Sequence, residues 1–311
     1  MGDPLFEVIN NRLTAIEGEL HAQRLLLQQV NTFSGETRKL VGPCGIPVTP
    51  EELLVQTLFG VKFYVVASDQ LMTPQLVVYR QWEANLSQLI LRLAPAGSVF
   101  VDIGANLGYF TCIVAAGMGT TPNSRVIAIE PNPHMLRLLT INTRINWSMA
   151  PVHIVPVAVA EKSGTCTLHV PAYAPGNATL APMSDVSQQT VATARDVMTS
   201  IEVEVRRLDD VLRDEPRVNL MKVDVEGFEI AAFRGAMETL ERPGLRIIFE
   251  WAPAQISKAG FQPAELLSIF RGLGYRLFDT DGYLGDPLAS ERDDGAILAM
   301  PYGNIFAVRD P

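Results

Sequence analysis

The chain has 311 residues, enough for one large domain or two modest ones at roughly 150 residues each. Its 48% hydrophobic and 19% charged content supports a sizeable core and excludes global disorder. Twenty-five basic against 34 acidic residues give a formal charge of −9, which argues against unspecific binding to nucleic acid or to an anionic membrane. No run approaches about 18 consecutive apolar residues, so no membrane-spanning helix is expected. Met1-Gly2-Asp3-Pro4 lacks the basic start and apolar stretch of a secretory signal. Cys44, Cys112 and Cys166 are odd in number and widely spaced, which predicts free thiols in a reducing compartment and a cytoplasmic location.

Ile9, Leu13, Ile16, Leu20, Leu27 and Val30 fall on the seam of a heptad repeat, with Gln23 as a polar break. Residues 1–34 therefore read as a coiled-coil helix, which would make a homo-oligomer through residues 9–30, or as an amphipathic helix lying on its own domain. A loop rich in Gly and Pro follows, from Gly35 to Pro50. Residues 35–95 form an extension with short β-like runs at Val61–Val66 and Leu76–Tyr79, then a lead-in helix over Glu83–Leu93 that stops before Pro95.

From residue 96 to 311 the order is regular. Apolar runs at Val99–Ile103, Arg125–Ile129, Val152–Val159, Leu220–Val223 and Leu245–Phe249 alternate with helical stretches through Ala116, over Pro133–Asn146 and over Phe228–Leu240. Continuous apolar strands alternating with amphipathic helices predict a parallel sheet covered on both faces. Tyr275–Asp279 and Asn304–Val308 add two strands, read as an antiparallel hairpin at the sheet edge. Residues 171–200 break the rhythm, being weakly charged and without a clean period; a connection of this length inside a compact domain reads as a substrate lid.

The strongest local signal is Val99-Phe-Val-Asp102-Ile-Gly104-Ala-Asn106-Leu-Gly108-Tyr-Phe. Apolar strand, glycine turn and helix place a ligand at the carboxyl end of the first strand. A dinucleotide fingerprint would read G-x-G-x-x-G, whereas the order here is D-x-G-x-N-x-G. Asp102 would oppose a pyrophosphate but suits an α-amino group, and Glu130, ending the second strand, can accept hydrogen bonds from both ribose hydroxyls. Both acids favour S-adenosylmethionine over a nicotinamide dinucleotide, which leaves a nicotinamide-dependent oxidoreductase as the alternative enzyme. A non-catalytic oligomeric scaffold with a methyltransferase-like domain is the non-enzyme alternative; the motif acids speak against it.

The segments VDIGANLGYFT (101–111), IEPNP (129–133), GNATL (176–180), LDD (208–210) and MKVDVEGFE (221–229) resemble, in that order, the FkbM-type class I S-adenosylmethionine-dependent methyltransferases. The resemblance covers roughly residues 80–250 and leaves the heptads outside. It implies a Rossmann-like seven-stranded class I methyltransferase sheet behind the N-terminal heptad helix. It also implies O-methylation of a hydroxyl on a sugar, glycan, polyketide or related small molecule. Cofactor contacts are expected from Glu83, Asp102, Gly104, Asn106, Gly108, Tyr109, Glu130 and Ala158, and acceptor contacts from Asn177 and Thr179 in the lid.

Asp224, Glu226 and Glu250 are the candidate catalytic acids. Asp224 and Glu250 end consecutive strands, where they could take a proton from an attacking hydroxyl or hold a divalent cation. No third ligand is obvious, so a metal is not favoured. The bland reading makes Asp224 a helix cap and Glu226 a complement to the helix dipole. His134, His153 and His169 have no partners at metal-ligand spacing, and His21 lies in the heptads.

Overall fold

A computed structural model of the chain describes residues 44–172, 174–180, 198–283 and 290–309, with the single positions 12 and 23. The heptad helix expected over residues 9–30 lies outside the described residues, as do Tyr173 and residues 181–197 of the expected lid.

The extension opens with three antiparallel strands, β1 (Gly45–Thr49), β2 (Glu52–Gln56) and β3 (Lys62–Val66). The apolar run at Leu76–Tyr79, expected as a strand, instead falls largely within a helix over Met72–Val78. A four-residue apolar run is ambiguous in period, and Asp69 decides it: its carboxylate accepts from the Leu71 and Thr73 backbone N–H groups, closing the first turn. The lead-in helix runs over Ala84–Leu93 and buries Leu86, Leu89, Ile90 and Leu93 on one face.

The central sheet combines β4 (Val99–Ile103), β5 (Arg125–Ile129), β6 (Val152–Val155), β10 (Leu220–Val223), β11 (Arg246–Trp251), β12 (Arg276–Asp279) and β13 (Gly303–Val308) in the order β12-β13-β11-β10-β4-β5-β6. The β6, β5, β4, β10 and β11 strands are parallel; β13 is inserted antiparallel between β11 and β12. All five residues of β4 and all four of β10 are buried, because helices cover both faces. The edge hairpin expected at the C-terminus is present. The order reverses beside β4, and a sheet of this kind binds ligands outside the strand carboxyl ends at that switch point.

Two expectations change. The third strand, expected to run unbroken to Val159, stops at Val155; Pro156 cannot donate to the ladder, and β7 (Ala158–Val159) joins a different sheet. That sheet pairs β7 with β9 (Met198–Arg206) and β9 with β8 (Gly164–Pro171), so the insertion begins and ends as a long antiparallel hairpin. The helix expected over Phe228–Leu240 is two short helices, Glu229–Arg234 and Met237–Leu240, broken at Gly235. A Cβ on Gly235 would stand 2.1 Å from the Ala160 carbonyl oxygen, so the chain bends where it meets the end of β7.

Candidate functional site

The turn after β4 is built by backbone conformations that its sequence permits. Gly104 adopts φ +77°, and a Cβ there would lie 1.8 Å from the Asp224 carbonyl oxygen. Its role is therefore to let the ends of β4 and β10 touch, as well as to line the cavity above them. Asn106 takes φ 54°, a left-handed conformation that asparagine tolerates, and its Oδ1 accepts from the Leu107 N–H at 2.7 Å. Gly108 caps the Tyr109–Met118 helix at φ 93°; a Cβ would sit 2.5 Å from Leu139 Cδ1. That glycine serves helix packing and does not line the cavity.

A cavity of about 280 Å³ lies over the carboxyl ends of β4, β5, β10 and β11. Glu83, Gly104, Asn106, Tyr109, Glu130, Ala158, Asn177, Asp224, Glu226 and Glu250 all line it, so ten of the expected site residues are brought to one place. Asp102, Gly108 and Thr179 are not in its wall. Asp102 is buried beneath it, with Oδ2 accepting from the Thr111 hydroxyl at 2.6 Å and Oδ1 unpartnered among the described residues. Its register partner on β10 is Lys222, so Asp102 acts on the cavity through that lysine. Thr179 holds the lid: its backbone pairs with His169, and its hydroxyl donates to the Glu226 carbonyl at 3.2 Å. Asn132 Nδ2 donates to the Pro175 carbonyl oxygen at 3.1 Å, anchoring the same segment on the other side.

At the β5 end, Glu130 is buried and accepts two backbone N–H groups, Asn106 on Oε2 and Asn132 on Oε1, each at 2.8 Å. Each oxygen keeps one lone pair for a ligand hydroxyl, so the pair of oxygens matches a vicinal diol. Burial is the largest influence on Glu130 and pushes its pKa up to about 7, against those two N–H groups. Ile129, Val157, Ala158, Val159 and Leu168 give the neighbouring wall an apolar surface.

The β10 and β11 end is crowded with acids around one buried cation. Lys222 Nζ lies 2.9 Å from Asp224 Oδ2 and 4.8 Å from the centre of the Phe110 ring. Burial alone would lower the Lys222 pKa, but the charges of Asp224, Asp102 and Glu83 outweigh it and hold the ammonium above its ordinary range. Glu226 stands at φ 52°, and its Oε2 accepts from Gln255 Nε2 at 2.8 Å. Burial, followed by the Asp224 and Glu229 charges, pushes its pKa up to about 8. Glu250 is buried; Tyr302 donates to its Oε1 at 2.8 Å, and its Oε2 has no hydrogen-bond partner among the described residues. Burial, then the charges of Asp224, Glu226 and Glu229, pushes the Glu250 pKa up to about 10, which favours its protonated form. Glu83 sits at φ 40° before the lead-in helix, and burial raises its pKa against Lys222 and hydrogen bonds from Asn304 and Trp82.

The helix-cap reading of Asp224 is not realised. No side chain caps that helix; Glu229, its first residue, instead fastens the turn before it, its Oε1 accepting from the Val225 and Gly227 N–H groups at 3.1 and 3.3 Å. Among the described residues, no group of three His, Cys, Asp or Glu side chains is arranged to hold a metal ion, and no helix is long and apolar enough to cross a membrane.

Four residues of this arrangement went unread in the sequence. Lys222 is a lone charge inside an apolar strand, and such a residue must find partners to be buried, which was its available signal. Glu229 closes the motif it belongs to. Gln255 and Tyr302 arrive from far along the chain and carry no local signature.

Residues 102–277, more than half the chain, match the methyltransferase FkbM domain. The chain belongs to that family. Among curated relatives, a methyltransferase, sdnD, from Sordaria araneosa is 29% identical over 183 residues, covering 52% of this FkbM-domain chain and 70% of the relative. A hexuronic acid methyltransferase, AglP, from Haloferax volcanii is 26% identical over 169 residues, covering 53% of the chain and 61% of the relative. A solved FkbM methyltransferase from Methylobacillus flagellatus is 15% identical with a TM-score of 0.39, over 68% of this chain and 44% of that one. The FkbM chain thus spans less than two thirds of the archaeal relative and of the solved protein.

Proposed function

We propose that this methyltransferase moves a methyl group from S-adenosylmethionine to a hydroxyl oxygen of a sugar, glycan or polyketide-type small molecule. The observation that supports it most is Glu130. A buried carboxylate with one lone pair free on each oxygen, at the end of β5 and above the Gly104–Asn106 turn, fits a ribose diol. The apolar wall beside it fits a flat base, and the acids at the β10 and β11 ends fit a ligand of net positive charge. Asn106, whose N–H meets Glu130, and Ala158, Glu83 and Tyr109 also line the cavity and would contact the cofactor. One relative is named a hexuronic acid methyltransferase, so a sugar derivative, there a charged one, is an acceptor among the relatives.

When bound, S-adenosylmethionine supplies an electrophilic methyl on a sulfonium whose charge is lost as the methyl leaves. The chain then has to position and deprotonate an oxygen. Asp224 Oδ2 is held by Lys222, which leaves Oδ1 to accept the acceptor hydroxyl's proton. Glu226 is tied to Gln255 and to the lid segment through Thr179, so it shapes the acceptor end. Gly176, Asn177, Ala178 and Leu180 line the cavity, where they would help exclude water around a bound ligand.

Calorimetric titration with S-adenosylhomocysteine, with NAD in a parallel cell, tests this reading. Saturable binding of the first alone is expected. Binding of NAD alone would overturn it in favour of a nicotinamide-dependent oxidoreductase.

A further inference from the structure

Five carboxylates line the cavity, Glu83, Glu130, Asp224, Glu226 and Glu250, and the one cation among its described lining residues, Lys222, is already paired with Asp224. A carboxylate acceptor entering over β10 and β11 would find no free positive partner there and would be repelled by Asp224. An oxygen nucleophile that arrives uncharged meets no such barrier.

The placement of two of these acids is more informative still. Val223 and Phe249 are register partners on adjacent parallel strands, so Asp224, just past the end of β10, and Glu250, still within β11, lie level with each other. Adjacent strands are about 4.8 Å apart. Two hydrogen-bonding groups at that separation can bracket two neighbouring oxygens of one molecule. Glu250 lines the cavity, and its buried Oε2 lacks a partner among the described residues, a costly arrangement unless a ligand completes it. Tyr302 already donates to Oε1, which fixes the carboxyl's orientation and leaves Oε2 for that ligand.

We propose that the acceptor is an uncharged vicinal diol, as in a neutral sugar ring, and that Glu250 selects it. One hydroxyl is the nucleophile beside Asp224, and its neighbour accepts a hydrogen bond from Glu250 Oε2–H. With Oε1 already accepting from Tyr302 and Oε2 unpartnered, Glu250 is placed to donate from Oε2, and the burial and acid charges around it favour that protonated form. This inference rests on the S-adenosylmethionine reading above. Its chemistry is simple: an oxygen–carbon bond forms, the carbon–sulfur bond breaks, and the hydroxyl proton passes to Asp224.

The test uses the full chain. S-adenosylhomocysteine affinity is measured first, and its absence overturns the underlying cofactor reading. Methyl transfer from tritiated S-adenosylmethionine is then followed to methyl glucoside, galactoside and mannoside and to the matching uronates. At least one neutral glycoside should show a kcat/KM about tenfold or more above its uronate. Transfer to uronates at equal or higher efficiency overturns the proposal, as does transfer to no member of the panel while S-adenosylhomocysteine binds. Glu250→Ala should raise the glycoside KM about tenfold without moving S-adenosylhomocysteine affinity, and Glu250→Gln, which keeps a donor there, should recover most of the loss. An unchanged KM in Glu250→Ala overturns the role of Glu250. Should Glu250→Ala fail to fold, the pH profile decides: wild-type glycoside KM should climb as pH approaches 10 while that of Glu250→Gln stays flat, and parallel profiles overturn the assignment.

Discussion

Lys222 and Asp224 stand two residues apart on the same face at the end of β10 and form a 2.9 Å ion pair in which the lysine is buried and the aspartate is about one-third exposed. The lysine faces Asp102 across the ladder and Glu83 from the lead-in helix, so one ammonium balances three carboxylates that ends of separate elements bring together. Removing one partner of such a group leaves uncompensated buried charge, at a cost of about 3–5 kcal/mol. Lys222→Met should lower the free energy of unfolding by about that amount in urea denaturation. A loss below about 1 kcal/mol would show that the lysine is not what balances these acids.

Stability should depend on pH in a direction set by the acids. Glu130 and Glu229 are raised to about 7 and Glu226 to about 8 from an ordinary 4.5. Between pH 4.5 and 8 the folded chain therefore binds more protons than the unfolded chain, so stability falls as pH rises through that window. The contribution of Lys222, raised above 10.5, is constant below that pH. The melting temperature should be higher at pH 5.5 than at pH 8. A higher value at pH 8 would contradict the assigned burial of these acids.

Glu130 serves the backbone as well as a ligand. Glu130→Ala frees the Asn106 and Asn132 N–H groups and removes the diol partner, and should weaken S-adenosylhomocysteine binding by about 100-fold, some 2.7 kcal/mol. Glu130→Gln preserves an acceptor oxygen and should fall between. Calorimetric affinities for both variants check the order; equal affinities for wild type and Glu130→Ala would remove Glu130 from the cofactor site.

Two glycines should respond oppositely to the same methyl. Gly104→Ala forces a Cβ into the Asp224 carbonyl at a left-handed φ and should destabilise the chain by about 3 kcal/mol or more while disrupting ligand binding. Gly272→Ala, in the last turn of the Pro263–Gly272 helix with nothing within 4 Å, should stabilise by about 0.5–1 kcal/mol. Urea midpoints for the two variants settle both signs.

Much of this architecture is legible in the chain because parallel strands buried on both faces read as continuous apolar runs; Val99–Ile103 and Leu220–Val223 announce themselves. The turn between β4 and its helix is equally legible, since Gly104, Asn106 and Gly108 are residue types that positive φ selects. The β8–β9 hairpin was harder. Its strands carry Thr, Ser and Glu on their open face, so alternation there competes with the polarity expected of a loop. Short runs such as Leu76–Tyr79 fail for another reason: the capping carboxylate that makes them helical, Asp69, lies outside the run. Within the site, Glu130 and Asp224 could be named because each directly follows a strand, and Glu250 because it lies near the end of one. Their protonation could not, because it depends on how closely separate strands bring them, a quantity no local pattern encodes.

The wall of the cavity draws on stretches of chain both inside and outside the matched domain. The residues around Glu130 lie inside the matched domain, whereas Tyr302, which orients Glu250, lies 25 positions past the domain's last matched residue, immediately before the inserted antiparallel strand β13. The molecule is modular at the scale of a single pocket. A change confined to Tyr302 should therefore alter the surroundings of Glu250 and leave the backbone contacts of Glu130 in place.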